Sequence, residues 1–324
     1  MRHFIFEFIT GGGLAGQDLS ESLVKEGELM LQALVDELMV LNLELTISRD
    51  SRLEKLNNNV EHIFIEKDLG KSLEQLIKNA DVCWLIAPES DGCLANFANM
   101  FSNSKTMFIG SSLEAIKLTS SKYATNKLLF ENNIKVIETR KINDILPDSK
   151  TGWVVKPDDG VGAEDACLIE DEEQLLSFVS NQSNNNYIVQ PYIEGNHLSM
   201  SLLVCSGDVR LLACNKQYVD INKNGIKLLK IGVNEELLYK DKMGSLAKSI
   251  VSAIPGLSAY IGVDLIEKDG ELYVLEINPR LTTAYAGLAT SLGRNVAKDI
   301  MGVFKNNKLP DIDLNSAKSV MIKL

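Results

Sequence analysis

Asp264, Glu276 and Asn278 place two acids and an amide inside SAYIGVDLIEKDGELYVLEINPRL (258–281), a segment that is otherwise mostly apolar. Lys268-Asp269-Gly270 reads as a three-residue hairpin loop, with Gly270 free to take the left-handed position. A loop of odd length puts Asp264 diagonally near Glu276 on one sheet face. Asn278 joins them, because strand side chains repeat every second residue. These are oxygen ligands for a hard cation: Mg²⁺ takes one or two protein carboxylates and completes its shell with water and substrate phosphates. Arg280, two residues on, is positioned to neutralise a transferred phosphoryl group. The alternative is a polar strand face that only meets solvent.

Two further stretches carry chemistry. Lys156 leaves the strand WVVKP (153–157) beside the small-residue loop Asp158-Asp159-Gly160-Val161-Gly162-Ala163, a setting in which an ammonium and backbone N–H groups can meet phosphates. In Ile188-Val189-Gln190-Pro191-Tyr192-Ile193-Glu194-Gly195 a strand runs into a connector that can offer backbone groups to a planar base, Pro191 keeping only its carbonyl. Taken singly, Lys156, Lys122 and this strand end also fit ordinary solvated positions.

The elements that must position these residues fall into two patterns. Residues 1–115 alternate strand-like runs (3–9, 41–48, 60–65, 81–87 and 106–111) with helical ones, the clearest carrying Leu23, Met30, Leu34, Leu38 and Leu41. That alternation predicts an α/β, doubly wound parallel sheet with ligand loops at the C-terminal strand ends. Beyond it come a helix over 120–133, strands at 153–157 and 187–193, and a β-rich, α+β half to about 280 with a helix near 241–254. Hairpin signals stand at Ser206-Gly207-Asp208, Asn224-Gly225 and Asp269-Gly270.

A net charge of -11 argues against nucleic acid, which is bound through excess Lys and Arg. No apolar run approaches the ~20 residues of a membrane helix, and the N-terminal stretch reads as a strand rather than a signal peptide. Cys83, Cys93, Cys167, Cys205 and Cys214 lack metal spacing and suit a reducing cytoplasm. With three unclustered histidines, zinc is not expected.

Lys122, Lys156, the 188–195 strand end and the Asp264/Glu276/Asn278 hairpin, in that order, resemble the ATP-grasp superfamily of ligases, from Lys122 to about Arg280. The resemblance implies a Rossmann-like pre-ATP-grasp domain (1–115), a small ATP-grasp lobe (116–193) and a C-terminal lobe with the metal site (194–324). It implies ATP with Mg²⁺ or Mn²⁺ as cofactors, Lys122 and Lys156 as nucleotide lysines, and Gly160 and Gly162 in a phosphate-covering loop. Gln190, Pro191, Tyr192 and Ile193 would form the adenine hinge, with the Pro191 carbonyl and Ile193 amide as contacts. Asp264, Glu276 and Asn278 would be metal ligands, with Arg280 and Lys216 as basic groups facing the phosphates. Where the family often has a ribose-binding glutamate after the hinge, His197 stands, so either His197 or Glu194 takes that contact.

FEFITGGG, SLVKEGELMLQALVDEL, LIAPESDGCL and FIGSSLEAIKLTSSKYAT resemble, more narrowly, archaeal-type tyramine–L-glutamate ligases of methanofuran biosynthesis and their bacterial relatives. This implies small-molecule partners, an amino-acid carboxylate and an amine, joined through an acyl phosphate; it leaves room for a homodimer. A competing pattern is Gly11, Gly13 and Gly16, which satisfy the dinucleotide fingerprint of an oxidoreductase. Its acidic partner is not at the expected distance. The glycine loop is instead expected to border the acceptor substrate, with Glu7 and Glu26 as candidates for holding an ammonium.

Overall fold

The computed structural model describes residues 1–160, 166–181, 186–222 and 225–324. In the N-terminal part β1 (Arg2–Glu7), α1 (Glu21–Met39), β2 (Glu44–Asp50), β3 (Glu61–Ile65), α2 (Leu69–Asn79), β4 (Val82–Ile86), α3 (Cys93–Ser102) and β5 (Met107–Ile109) alternate as expected. The strands form a parallel sheet in the order β3-β2-β1-β4-β5. Its central strands are apolar on both faces, with Phe4, Ile5, Phe6 and Val82 to Ile86 all buried, because helices cover each side. Strand order reverses between β1 and β4, so the crevice at their carboxyl ends is the natural ligand position.

The glycine loop fills part of that crevice without forming a dinucleotide site. The Gly11 and Gly13 amides donate back to Glu7 and Phe8 carbonyls at 2.8 Å, and Arg52 donates to the Leu14 and Gln17 carbonyls. Helix α1 begins only at Glu21, so no helix N-terminus receives the loop as the fingerprint requires.

Next come α4 (Leu113–Ser120) and α5 (Lys122–Glu131), where one helix over 120–133 is expected. Ser121 has an extended backbone and caps α5 by accepting from the Ala124 amide, which divides the two. A small sheet follows from β6 (Arg140–Lys141), β7 (Trp153–Pro157), β8 (Cys167–Ile169) and β9 (Tyr187–Pro191), ordered β6-β9-β7-β8, with α6 (Glu172–Asn181) packed on it through Leu175 and Phe178.

The remaining chain builds a six-stranded antiparallel sheet. Its strands are β10 (Asn196–Cys205), β11 (Asp208–Asn222), β12 (Gly225–Val233), β13 (Ala259–Lys268), β14 (Glu271–Asn278) and β15 (Val320–Lys323), ordered β14-β13-β10-β11-β12-β15. Helix α7 (Lys240–Ala253) packs one face through Met243, Ala247 and Ile250. Toward one end of the other face, α1, α8 (Tyr285–Leu292) and α9 (Val296–Asn306) share a core with Leu203, Tyr260 and Ile231. Asn222 pairs with Gly225; Asn224 of that expected hairpin lies outside the described residues. On the outer edge of β14, Val136 forms a parallel bridge with Val274, whose amide donates to the Lys135 carbonyl at 3.0 Å.

The hairpin at 268–271 departs from the three-residue reading. Lys268 pairs with Glu271, leaving a two-residue turn in which Asp269 (φ 53) and Gly270 (φ 78) are both left-handed, the backbone of a type I′ turn. A regular ladder from that turn would set Asp264 opposite Leu275. A bulge instead inserts one residue in β14, so Leu265 pairs with Val274 but Asp264 pairs with Glu276. The expected shared face is thus reached, with the odd residue in the ladder rather than in the loop, and the two acids stand directly opposite.

Glu37 joins the first and last parts of the chain: its Oε2 accepts from the Ala297 amide at 2.8 Å, and its carbonyl accepts from the Asn295 amide group at 2.7 Å. Glu37→Ala leaves the Ala297 amide buried without a partner. Urea unfolding is expected to show a loss of ~1–3 kcal/mol, with nucleotide affinity within about twofold of the parent.

Candidate active site

A cleft opens between the small sheet and the six-stranded sheet. Lys122, Lys156, Gly160, Gln190, Pro191, Tyr192, Ile193, His197, Asp264 and Glu276 all line it. Gly162 lies outside the described residues.

On the floor, Asp264 and Glu276 stand directly opposite each other across β13 and β14. Asp264 Oδ1 accepts from Gln217 Nε2 at 2.7 Å and Oδ2 from Asn278 Nδ2 at 3.1 Å. Burial, then the neighbouring Glu276 charge, pushes the Asp264 carboxyl up. Burial would raise Glu276 as well, but Lys122 and Lys156 outweigh it and hold Glu276 below the usual carboxylate range. The two carboxyl groups disfavour each other's ionisation, and a divalent cation between them would offset that repulsion. Among the described residues no group of three or more His, Cys, Asp and Glu forms a metal cage. Two acids and an amide leave most of a cation's shell to phosphates and water, which fits Mg²⁺.

The cations come from two other elements. Lys122, in the first turn of α5, lies 3.4 Å from Glu276 Oε2 and also donates to the Gly160 carbonyl. Lys156, near the end of β7, is partly buried; desolvation lowers its pKa to about 8, with Glu276 opposing the shift and Lys122 adding to it. Asp158 fastens the loop base to α5, accepting from Ser121 Oγ and the Tyr123 amide, both at 2.7 Å. Asp159 accepts from the Asp91 amide at 2.9 Å, tying the same loop to the N-terminal part.

The hinge geometry follows from antiparallel alternation. Gln190 and Tyr192 turn toward β7, the Tyr192 amide donating to the Gly152 carbonyl at 2.8 Å. The backbone groups of Pro191 and Ile193 therefore face away from β7, on the open side. The buried Gln190 side chain donates to Thr139 Oγ1 at 2.8 Å. His197 forms part of the cleft wall and is kept neutral by burial and by Lys156, whereas Glu194 is exposed and outside the lining.

Two expected basic groups are each held by a carboxylate outside the cleft lining. Lys216 is not in the lining: its ammonium pairs with Glu236 at 3.1 Å on the opposite face of β11, because Gln217 takes the cleft-facing phase. Gln217 was missed by sequence reading, although strand alternation against Val219 and Ile221 marks it. Arg280 is enclosed and held by Glu89, with Nε and Nη2 donating to its carboxylate at 2.8 to 3.1 Å. Glu89 follows β4 and carries no local motif.

Of the acids near the glycine loop, Glu7 is buried and occupied by the Thr10 amide and hydroxyl, both at 2.6 Å. Glu26 accepts from the Thr283 hydroxyl.

A profile described as the ATP-grasp domain matches residues 119–284, and one described as the pre ATP-grasp 3 domain matches residues 43–116. The chain is 29% identical over 292 residues to the tyramine–L-glutamate ligase of Methanocaldococcus jannaschii, covering 88% of this chain and 84% of that one. It is 30% identical over 291 residues to the enzyme of the same name from Methanocaldococcus fervens, covering 88% of each. A crystal structure of an ATP-grasp superfamily protein from Archaeoglobus fulgidus superposes with a TM-score of 0.76 at 25% identity, covering 100% of this chain and 92% of that one.

With its pKa near 8, Lys156 is charged at pH 7 and loses its proton as pH rises through that value. Phosphates favour the charged form, so ATP affinity measured by calorimetry is expected to fall by about tenfold between pH 7 and 9.5. Lys156→Gln should bind weakly with a flat profile across the same range.

Proposed function

The chain belongs to the ATP-grasp family, and on that footing we propose that it joins the γ-carboxylate of L-glutamate to the amine of tyramine, within methanofuran-type cofactor biosynthesis. The coarser activity is an ATP-dependent carboxylate–amine ligase that forms ADP and uses Mg²⁺. The observation that carries the reading is the opposed Asp264–Glu276 pair, with Lys122 and Lys156 around it, in a cleft that also holds the 190–193 hinge. The substrate pair is supported by the two tyramine–L-glutamate ligases, which align over most of both chains. The division into 1–115, 116–193 and 194–324 belongs to the same reading. So does a cytoplasmic setting, which free thiols at all five cysteines support. No helix among the described residues is long and apolar enough to cross a membrane.

In this mechanism the acid's carboxylate oxygen attacks the γ-phosphorus, the bond to ADP breaks, and an acyl phosphate forms. The amine then attacks the acyl carbon, the C–N bond forms, inorganic phosphate leaves, and the ammonium proton passes to phosphate or water. The chain supplies mainly position and charge. Pro191 and Ile193 hold the base edge, Lys122 and Lys156 neutralise phosphate oxygens, and Arg280 donates to the oxyanion of the tetrahedral intermediate. Mg²⁺, held by Asp264, Glu276 and Asn278, supplies further neutralisation of the phosphate oxygens when bound. Gly160 lines the cleft beside Lys122.

ADP release is expected only when glutamate and tyramine are both present. Release with another acid and amine, and none with these two, would sink the substrate assignment and leave the ligase standing. Asp264→Asn and Glu276→Gln are each expected to lower kcat by at least ~100-fold with an unchanged far-ultraviolet spectrum. A parent-like rate in either variant removes that residue from the site.

A further inference from the structure

We propose that Glu89 is a positioning residue for the ligase reaction, fixing the Arg280 guanidinium so that its remaining donors face the reacting phosphoryl and acyl groups. This rests on the ligase reading of the cleft. A guanidinium has five N–H donors in one plane. Glu89 takes Nε and one donor of Nη2, and the Leu281 carbonyl takes one donor of Nη1 at 3.2 Å. One donor on each terminal nitrogen is left, a fork matched to a carboxylate, phosphate or oxyanion. Bonds on two flanks fix the plane of the group as well as its position.

The location makes the pair more than a surface tie. Glu89 stands just past β4, at the reversal of strand order in the parallel sheet, and Arg280 stands two residues beyond Asn278. Both side chains are less than a tenth exposed, at 6% and 9%. Arg280 and Glu276 lie close enough for each to feel the other's charge. The contact thus joins the crevice of the first sheet to the metal-binding end of β14. Without Glu89 the guanidinium would lose its bidentate acceptor, and Glu276 would be the acid whose charge it still feels.

The test uses the full chain and a double-mutant cycle of Glu89→Gln with Arg280→Ala, with Glu89→Asp as the variant that keeps the charge. Two readouts are taken: turnover, and calorimetric binding of inorganic phosphate to the MgADP-loaded protein. Glu89→Gln is expected to lower kcat by ~30–100-fold and weaken phosphate binding by ~10-fold, with KM for ATP within about twofold. Glu89→Asp should recover part of both losses, and the double variant should match Arg280→Ala alone. Parent-like kcat and phosphate binding in Glu89→Gln overturn the proposal. So does a double variant that loses the product of the two single effects, because Glu89 would then act independently of Arg280. Should Glu89→Gln fail to fold, Glu89→Asp decides: a parent-like kcat and phosphate affinity there also overturn the proposal. If the parent turns over no acid and amine pair, the ligase reading fails by itself, and the phosphate cycle still decides whether Glu89 positions Arg280.

Discussion

Two carboxyl groups face each other across an antiparallel ladder, and the rest of the cleft is arranged around that fact. Asp264 and Glu276 are partly buried and directly paired, so each opposes the other's ionisation unless a compensating charge is near. Lys122 and Lys156 favour ionisation of Glu276, Gln217 and Asn278 donate to Asp264, and Arg280 is paired with Glu89. An apolar pair would pack there at lower cost. Keeping two acids in that position is a local conflict of the kind proteins retain where a ligand resolves it.

The supporting elements divide the work by stiffness. The acids and the amide come from strands within or at the edge of the large sheet, where both backbone and side-chain direction are set by the ladder. The Pro191 and Ile193 backbone groups come from the end of β9, where pairing to β7 orients alternate residues. Lys122 and Lys156 come from a helix start and a strand end that Asp158 stitches together. Three separate parts of the chain must dock before the cleft exists, and no one of them carries a complete site.

Much of this was legible beforehand, and each miss has its own physical cause. The parallel sheet could be read because its strands are apolar runs separated by helical ones, and Lys156 because it ends such a run. The polar face of the 258–281 hairpin was visible as two acids an even number of positions apart about a turn. Whether the extra residue sat in the turn or in the ladder was not, since one residue inserted at either place brings Asp264 and Glu276 to the same face. Lys216 drew attention by its charge, but charge does not give the phase of a strand; Val219 and Ile221, which line the cleft with Gln217, do. Glu89 could not be found from sequence at all. Its meaning is a contact with Arg280, far along the chain, and nothing in its neighbours announces that partner.

The bridge between Val136 and Val274 has a consequence for how the molecule behaves in a crowd. An outer strand normally offers a row of free amides and carbonyls on which another chain can grow. The outer strand that bears Glu276 is partly occupied by the chain's own segment leading to β6, so its edge is blunted where the chemistry sits. The opposite border of the sheet is β15, a short strand, Val320 to Lys323, with a charged end. Short length and a lysine are the ordinary defences of an exposed border. Self-association by sheet extension is therefore resisted at both borders, and the sheet that carries the reactive groups can remain open to small molecules without recruiting a second copy of itself.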